Sequence, residues 1–378
     1  MSELLNIIYA VLGVSLIVMV LSDVFQSIIV PHYLPRGMRL SPLLVSKLMW
    51  LPLHRWMLKH TRDNKAETAL TMFAPAAMMA LLTFWLAVVT IGYALILFAV
   101  RAHVQPPLPD FESALYFAAS SVLTIGFGDV VACASLGRLT VICAALSGLV
   151  LLAIAVSYMF AIQSHFHSRE VASQIISSRH GHSGNGAVFY HCLKTEGNSA
   201  SSLELAERWI TEINQSHAAY PLLLYFRSRS PKASWLLQLN VVLDAVTIAL
   251  AMQESEHHSL HKSIYQNGCR AVDTFSTYLA LKEQIKVFKQ DPVVFEEIFR
   301  TLGAEDPRKA ANKFASLRQR YYPSLFVLSD YFLIYLPPLS VVNGHRIAMD
   351  AESLSQQVNE IAYIESPTIP PGSGFIFK

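Results

Sequence analysis

Three long apolar segments, separated by polar stretches, dominate the first half of the chain. They cover residues 4–30, 69–100 and 138–163, and each carries very few charged side chains. Because an α-helix rises about 1.5 Å per residue, each segment is long enough to cross the roughly 30 Å hydrocarbon core of a bilayer. The pattern predicts three transmembrane helices.

The second half shows a different pattern, in which apolar residues recur at intervals of three and four from residue 203 onward. Its most apolar stretch, residues 235–252, contains Gln238, Asn240 and Asp244, so we expect a buried core helix there rather than a fourth span. Further helices are predicted over residues 263–288, 292–302, 307–321 and 324–336. No alternation of strands with helices is present, so the expected fold class is an all-α membrane protein with an all-helical C-terminal domain.

Residues 164–202, between the two halves, are rich in Ser, Gly and His and predict a polar linker with a short structured piece at 187–193. Histidines here and near residue 257 either bind a metal or respond to protons, or are simply solvated. The residues concerned are His165, His167, His180, His182 and His191 in the linker, and Glu254, His257, His258 and His261 beyond it.

The composition is typical of a membrane protein: 53% of the 378 residues are hydrophobic and 15% are charged. A formal net charge of +2 gives no indication of nucleic-acid binding. Neither a disulfide framework nor a zinc motif is predicted, because the cysteines lack paired spacing. No nucleophile–base pair or phosphate-binding loop is recognisable either, so no enzyme activity is expected. The cysteines are Cys133, Cys143, Cys192 and Cys269.

Basic residues are concentrated in residues 32–68, between the first two spans. By the positive-inside rule this loop is cytoplasmic, which places the N-terminus outside the cell membrane and the C-terminal domain in the cytoplasm. Within the loop, residues 40–57 predict a helix in the membrane interface, interrupted at Pro52. This helix either passes motion from the C-terminal domain to the rest of the protein or is a passive anchor.

Asp23 is the charged residue of the first span. A carboxylate inside a membrane is a functional candidate. The alternative is a purely structural carboxylate near the cytosolic end of the span, satisfied by Arg36, Arg39 or water.

The segment between the second and third spans combines a short predicted helix with alternating glycines. Asp110 is suited to cap this helix, and Glu112 places negative charge in its first turn. The helix predicted over residues 113–123 ends directly before Gly126 and Gly128. The negative end of its dipole therefore favours a cation at this point.

The alternating glycines permit a row of backbone carbonyls that faces one axis. A regular strand points successive residues to opposite sides, whereas alternating left- and right-handed torsions do not. Glycine adopts positive φ at little cost, and Gly126 and Gly128 occupy alternate positions, with the Thr124 hydroxyl below them. Alone, this pattern is more typical of a tight loop, but the adjoining helix and the flanking spans favour an ion filter.

These residues resemble the pore loop of tetrameric potassium channels, whose signature is TxGYGD or TxGFGD. The resemblance extends over residues 69–163 and includes Gly137-Arg138-Leu139 and Gly148, which resemble the inner helix and its hinge glycine. Many relatives carry Thr where this chain has Leu123, and some carry an acidic residue where it has Ser120. The signature residues are Thr124, Ile125, Gly126, Phe127, Gly128 and Asp129.

The resemblance implies potassium conduction by a homotetramer, since a ring of carbonyls needs four filter strands. Carbonyls of residues 124–127 and the Thr124 hydroxyl would coordinate K⁺, Gly128 would permit the geometry, and Asp129 would support the outer mouth. Gly148 is either a gating hinge or a point of close helix packing. K⁺ is then the transported ion, no cofactor is expected, and the partners are other copies, the bilayer and an unidentified cytoplasmic ligand.

The predicted organisation has four parts: an N-terminal span with a basic interfacial segment (1–68), a pore domain (69–163), the polar linker (164–202) and a helical cytoplasmic domain (203–378). The expected function is passive, selective K⁺ conduction, with gating biased by the cytoplasmic domain. The alternative is a membrane-tethered signalling or scaffold protein whose pore conducts poorly or without selectivity. Voltage sensing is not expected, because no span carries repeated arginines.

Overall fold

The chain is almost entirely helical in the computed structural model, which describes residues 2–28, 40–59, 64–195, 197, 199–285 and 292–339. The α-helices are α1 (Ser2–Ile28), α2 (Leu40–Pro42), α3 (Leu51–Lys59), α4 (Asn64–Ala99), α5 (Phe111–Val122), α6 (Ser135–Arg179), α7 (Gly186–Thr195), α8 (Ser199–Ala219), α9 (Trp235–Ala251), α10 (His258–Tyr278), α11 (Val293–Thr301), α12 (Pro307–Arg318) and α13 (Tyr322–Tyr331). A π-helix, Leu43–Trp50, joins α2 to α3, and 3₁₀ helices form at Arg101–His103, Pro221–Tyr225, Pro231–Ala233 and Lys282–Gln284. Two short strands, β1 (Val104–Gln105) and β2 (Val131–Ala132), pair antiparallel.

Among the described residues, three helices are long and apolar enough to cross a membrane. They are Glu3–Ser27 within α1, Thr68–Ala99 within α4 and Ser135–Arg179, which is α6. The remainder of the described chain is helical apart from short connections. The expected fold class, an all-α membrane protein with a helical C-terminal part, is confirmed.

The chain divides into two compact units whose limits differ from the predicted domains. Of the described residues, the first unit contains those up to Ser168 together with Gln215–Arg227, and the second contains those of Arg169–Asn214 and those from Ser228 onward. The prediction placed Gln215–Arg227 inside the C-terminal domain, because its sequence pattern continues that of its neighbours. Its tyrosine side chains instead pack within the first unit, Tyr225 against Trp50 and Tyr220 against Tyr158.

In the first unit, α1 packs closely along α4. A Cβ atom built on Gly13 would lie 2.5 Å from the carbonyl oxygen of Gly92, so the two backbones approach where no larger side chain fits. Small residues allow such approach between membrane helices, and van der Waals contact then holds them together. The buried core beside this contact includes Ile17, Val20 and Val24 of α1 and Leu81, Trp85 and Val89 of α4.

Asp23 on α1 is buried and accepts hydrogen bonds from two other elements. Its Oδ1 accepts from the backbone N–H of Leu40 at 2.9 Å and of Ser41 at 3.4 Å. Its Oδ2 accepts from the Ser41 hydroxyl at 2.5 Å and from Trp85 Nε1 at 2.8 Å. Arg36 and Arg39, the partners that the sequence offered, lie outside the described residues. The carboxylate therefore caps the start of α2 and ties it to α1 and α4.

The predicted interruption of the interfacial helix at Pro52 is wrong. The chain stays helical from Leu40 to Lys59, and Pro52 is the second residue of α3. A π-helix, Leu43–Trp50, precedes it and has wider turns than an α-helix. Proline lacks a backbone N–H and crowds the preceding turn, so a widened turn ahead of it lets the helix continue.

The predicted linker at residues 164–202 is also wrong in its secondary structure. α6 continues through residue 163 to Arg179, because the chain holds neither Gly nor Pro between Gly148 and Gly181. The helix then ends at Gly181, whose φ is +62°, with the N–H of His182 bonded to the Ser177 carbonyl. The short structured piece predicted at 187–193 is present as α7, Gly186–Thr195.

The second unit is organised around α9, which is buried along its whole length. Asp244 on α9 accepts from Arg318 Nε at 2.7 Å and from the Tyr321 hydroxyl at 2.6 Å. Gln238 bonds His180, so Asp244 and Gln238 both have hydrogen-bond partners inside the unit. The predicted buried core helix is thus confirmed. The predicted helix 263–288 is shorter, since α10 ends at Tyr278.

Candidate functional site

Helix α5 begins at a well-formed cap and is anchored on α4. The Asp110 carboxylate accepts from the backbone N–H and the hydroxyl of Ser113, each at 2.8 Å. These bonds lower the pKa of the Asp110 carboxyl. One side of α5 is buried against the core of the first unit, through Ala114, Phe117, Ala118 and Val122. The predicted N-cap is confirmed, and it sets where the helix starts relative to the loop that follows.

The C-terminus of α5 turns directly into residues 124–129, called here the glycine segment. The N–H of Ile125 bonds the Ser120 carbonyl at 2.9 Å, and the N–H of Thr124 bonds the Ser121 carbonyl at 3.0 Å. This is a Schellman ending, in which the residue after the cap takes positive φ. Here that residue is Thr124, with φ of +55°. The way in which α5 ends therefore sets the positive φ of Thr124, the first residue of the glycine segment.

Positive φ then recurs at every second residue. Thr124, Gly126 and Gly128 have φ values of +55°, +63° and +83°, whereas Ile125 and Phe127 are not in this region. The alternation that the glycine spacing predicts is present in the backbone. Torsions that alternate in this way direct successive carbonyls toward one side, as a carbonyl ring for a cation requires.

The glycine segment has an open side in the isolated chain. Residues 123–129 are exposed, and a Cβ atom built on Gly126 or Gly128 would meet no atom within 4 Å. Glycine is therefore needed at these two positions because φ is positive there, and not because atoms of the same chain leave no room for a side chain. One chain supplies only one wall of any ion path along this segment.

Tyr116 on α5 holds the far end of the segment and was missed by the sequence analysis. Its ring stacks on Phe127 at 6.1 Å between centroids, and the two planes differ by 5°. Its hydroxyl donates to Asp129 Oδ2 at 2.9 Å. The sequence shows only that this tyrosine lies on the side of α5 opposite the buried residues. Its partners, Phe127 and Asp129, come close to it only when the loop folds back.

After Asp129 the chain returns along the residues that precede α5. Val104 pairs with Ala132 and Gln105 with Val131 in the β1–β2 ladder. The N–H of Cys133 extends this pairing by donating to the His103 carbonyl at 2.9 Å. The loop is thus closed at its base, which fixes both ends of α5 and the glycine segment.

Gly148 on α6 lies against the end of α5. A Cβ atom on Gly148 would lie 1.8 Å from the Val122 carbonyl oxygen, a distance that no side chain permits. Nearby, the Tyr93 hydroxyl on α4 lies 2.7 Å from the Ser147 Oγ. Close packing accounts for the glycine, and α6 is helical on both sides of it. A hinge role at Gly148 stays a prediction.

One face of α6 is apolar and exposed over about six turns. Its members are spaced alternately by three and four residues, which is the spacing of a helix seam that packs against other helices. No residue of the same chain covers this face among those described. Its members are Leu139, Ile142, Leu146, Leu149, Ala153, Val156 and Phe160, called here the α6 stripe.

The histidines do not form a metal site in the described part of the chain, where no group of three or more His, Cys, Asp or Glu side chains has metal-ligand geometry. His180 is buried, with Nε2 2.8 Å from Gln238 Oε1, and burial lowers its pKa. His261 is also buried, which lowers its pKa to about 4. The interpretation of these two residues as solvated is wrong, because both pack inside the second unit.

Residues 80–164 match a family model whose description is Ion channel. The match covers most of α4, all of α5, the glycine segment and the first part of α6. These elements therefore form an ion-channel domain. No curated protein and no solved structure gives a significant match to the chain.

Proposed function

We propose that this protein is a potassium-selective channel that conducts K⁺ passively across the cell membrane. The alternation of positive φ at Thr124, Gly126 and Gly128 carries this proposal. It supports a path in which the carbonyls of residues 124–127 replace the water around K⁺, with the Thr124 hydroxyl as the innermost ligand. Gly128 permits the geometry, and Asp129, bonded to Tyr116, supports the outer mouth.

The conducting unit is a homotetramer. Each chain provides one glycine segment, and a ring of carbonyls around an ion needs several such segments around one axis. The exposed α6 stripe supports this assembly, because an apolar seam with alternate spacing of three and four suits contact with the same helix of another copy. The negative end of the α5 dipole would then face the central cavity and favour a cation there.

The second unit acts as the regulator in this proposal. It begins at Arg169, within the last turns of α6, and the positive-inside rule puts it in the cytoplasm with the N-terminus outside. A ligand of this unit would bias the pore through α6. K⁺ is the transported ion, and the mechanism requires no cofactor, no nucleic acid and no covalent chemistry.

The test is K⁺ flux compared with Na⁺ flux in liposomes that contain the purified full chain. Gly126→Ala should abolish the K⁺ preference, because alanine at φ near +63° is strained by about 1–2 kcal/mol and disturbs the carbonyl row. Gly181→Ala is the matched control: its φ is +62°, it also has open space around the site, and it lies outside the glycine segment.

The possible outcomes distinguish a selective channel from a non-selective pore and from an inactive one. A K⁺ preference that Gly181→Ala keeps and Gly126→Ala loses supports the channel. Equal K⁺ and Na⁺ flux in the natural chain would contradict selectivity. A complete lack of both K⁺ and Na⁺ flux in the natural chain would favour a membrane-tethered scaffold with an inactive pore.

A further inference from the structure

A short segment from the second half of the chain is built into the first unit. Gln215–Arg227 belongs to the first unit, while the residues immediately before and after it belong to the second. The segment contains the end of α8 and the 3₁₀ helix Pro221–Tyr225, whose five residues are all buried. We call Gln215–Arg227 the clasp.

The clasp contacts α6 from Tyr158 onward, at the C-terminal end of the α6 stripe and after it. The Tyr220 ring lies 5.7 Å from the Tyr158 ring and 5.4 Å from the His165 ring, both measured between centroids. Phe226 lies 5.4 Å from Phe166 in the same way. These contacts span more than two turns of α6, so the clasp holds a length of that helix and not a single point.

The opposite side of the clasp contacts the start of α4 and the π-helix. Tyr225 is buried with its ring 5.3 Å from Trp50 and 5.5 Å from Phe73. Trp50 and Phe73 also contact each other at 4.9 Å, so the three rings form one aromatic cluster. The clasp therefore bridges α6 to α4 and to the π-helix.

We infer that the clasp is an autoinhibitory contact that limits movement of α6 away from α4 and so restrains opening of the pore. This inference rests on the proposed channel function. A pore lined by α6 opens only if the ends of these helices move apart, and a bridge from α6 to α4 opposes that movement. The clasp is covalently continuous with the second unit at Asn214 and Ser228, so a rearrangement there would pull on it directly.

The test compares Tyr220→Ala with Tyr220→Phe in the full chain, reconstituted in nanodiscs and in liposomes. Tyr220→Ala removes both ring contacts to α6, whereas Tyr220→Phe keeps the ring. Tyr9→Ala serves as a second control, because it removes a tyrosine–phenylalanine contact of 5.5 Å with Phe98 at the other end of α4. Amide hydrogen exchange over residues 158–168, which needs no conduction, is measured beside K⁺ and Na⁺ flux.

We expect Tyr220→Ala to speed exchange over residues 158–168 and to raise K⁺ flux several-fold at an unchanged K⁺/Na⁺ ratio, while both controls match the natural chain. Unchanged exchange in Tyr220→Ala would overturn the inference whatever the flux. Faster exchange with equal or lower flux would overturn the inhibitory role, and so would an equal effect of Tyr9→Ala. If the channel proposal fails, the natural chain will show no K⁺ selectivity. The hydrogen-exchange result then still decides whether the clasp restrains α6.

Discussion

At the scale of single residues, a few backbone and side-chain positions set the geometry of the glycine segment. Thr124 takes positive φ because α5 ends there, and Gly126 and Gly128 continue the alternation. Tyr116 and Asp129 then fix the end that lies away from the helix terminus. Contacts with α5 therefore hold the glycine segment at both of its ends.

The Tyr116–Asp129 hydrogen bond yields the first prediction. Tyr116→Phe should lower the K⁺/Na⁺ permeability ratio several-fold, because Asp129 loses its hydrogen bond from α5 while the ring still stacks on Phe127. Reversal potentials of the reconstituted protein measure this ratio. If the bond is the cause, adding Tyr116→Phe to Asp129→Ala changes nothing further. Losses that simply add would show that the two residues act independently.

Gly148 provides a second prediction, which separates close packing from a hinge. Gly148→Ala should destabilise the protein by roughly 1–3 kcal/mol, because the new methyl group meets the Val122 carbonyl. Thermal unfolding of the full chain in detergent measures the loss. Adding Ala153→Gly supplies a flexible site nearby on α6 without relieving the clash, so the stability should not recover. Normal stability with altered flux, restored in the double variant, would favour the hinge.

At the scale of elements, close glycine contacts and one buried carboxylate determine how the helices of the first unit pack together. α1 and α4 meet through glycines, and α2 is attached to both by the Asp23 carboxylate. The element that follows, the π-helix, carries Trp50 into the aromatic cluster with Phe73 and Tyr225. Asp23 therefore supports the position of the surface on which the clasp rests.

A third prediction concerns Asp23. Asp23→Leu should destabilise the protein, because the buried donors of Ser41 and Trp85 lose their acceptor, at about 1–3 kcal/mol for each unsatisfied group. The melting temperature of the full chain in detergent reports this loss. The neighbouring Ser22→Ala is the control, since Ser22 is exposed and its bond to Gln26 is at the surface. If both variants melt alike, Asp23 has no anchoring role.

At the scale of the whole molecule, two surfaces of the isolated chain are exposed although their sequence suits contact with another molecule. The glycine segment has an open side, and the α6 stripe has no cover among the described residues. The proposed assembly of four copies around one axis would cover both features, with the stripes facing one another. The exposed apolar residues of α1 would then face lipid.

The fourth prediction tests this assembly. Native mass spectrometry from detergent micelles should give the mass of four chains. Leu146→Trp, in the α6 stripe, should reduce the tetramer strongly because an indole does not fit in a packed seam. Leu12→Trp on the exposed face of α1 should leave the tetramer intact, since lipid accommodates the larger ring. Tetramers that survive Leu146→Trp, or are lost equally in Leu12→Trp, would contradict the assignment of these faces.

The sequence by itself determined those features that depend on local pattern. Three spans follow from length and hydropathy, because a bilayer imposes a minimum apolar run. The cap at Asp110 and the positive φ of Gly126 and Gly128 follow from residue type, because a short polar side chain caps well and glycine takes positive φ cheaply. The buried character of α9 followed from polar residues in an apolar run too short for a membrane span.

Tertiary structure alone decided which distant residues meet. The partners of Asp23 come from α2 and α4, Tyr116 finds Asp129 only when the loop returns, and the clasp leaves the unit of its sequence neighbours. The linker prediction failed because polar composition alone does not end a helix, and the chain holds no Gly or Pro between Gly148 and Gly181. Periodicity specifies which face of an element is buried, but contacts between distant elements depend on how those faces are combined in three dimensions.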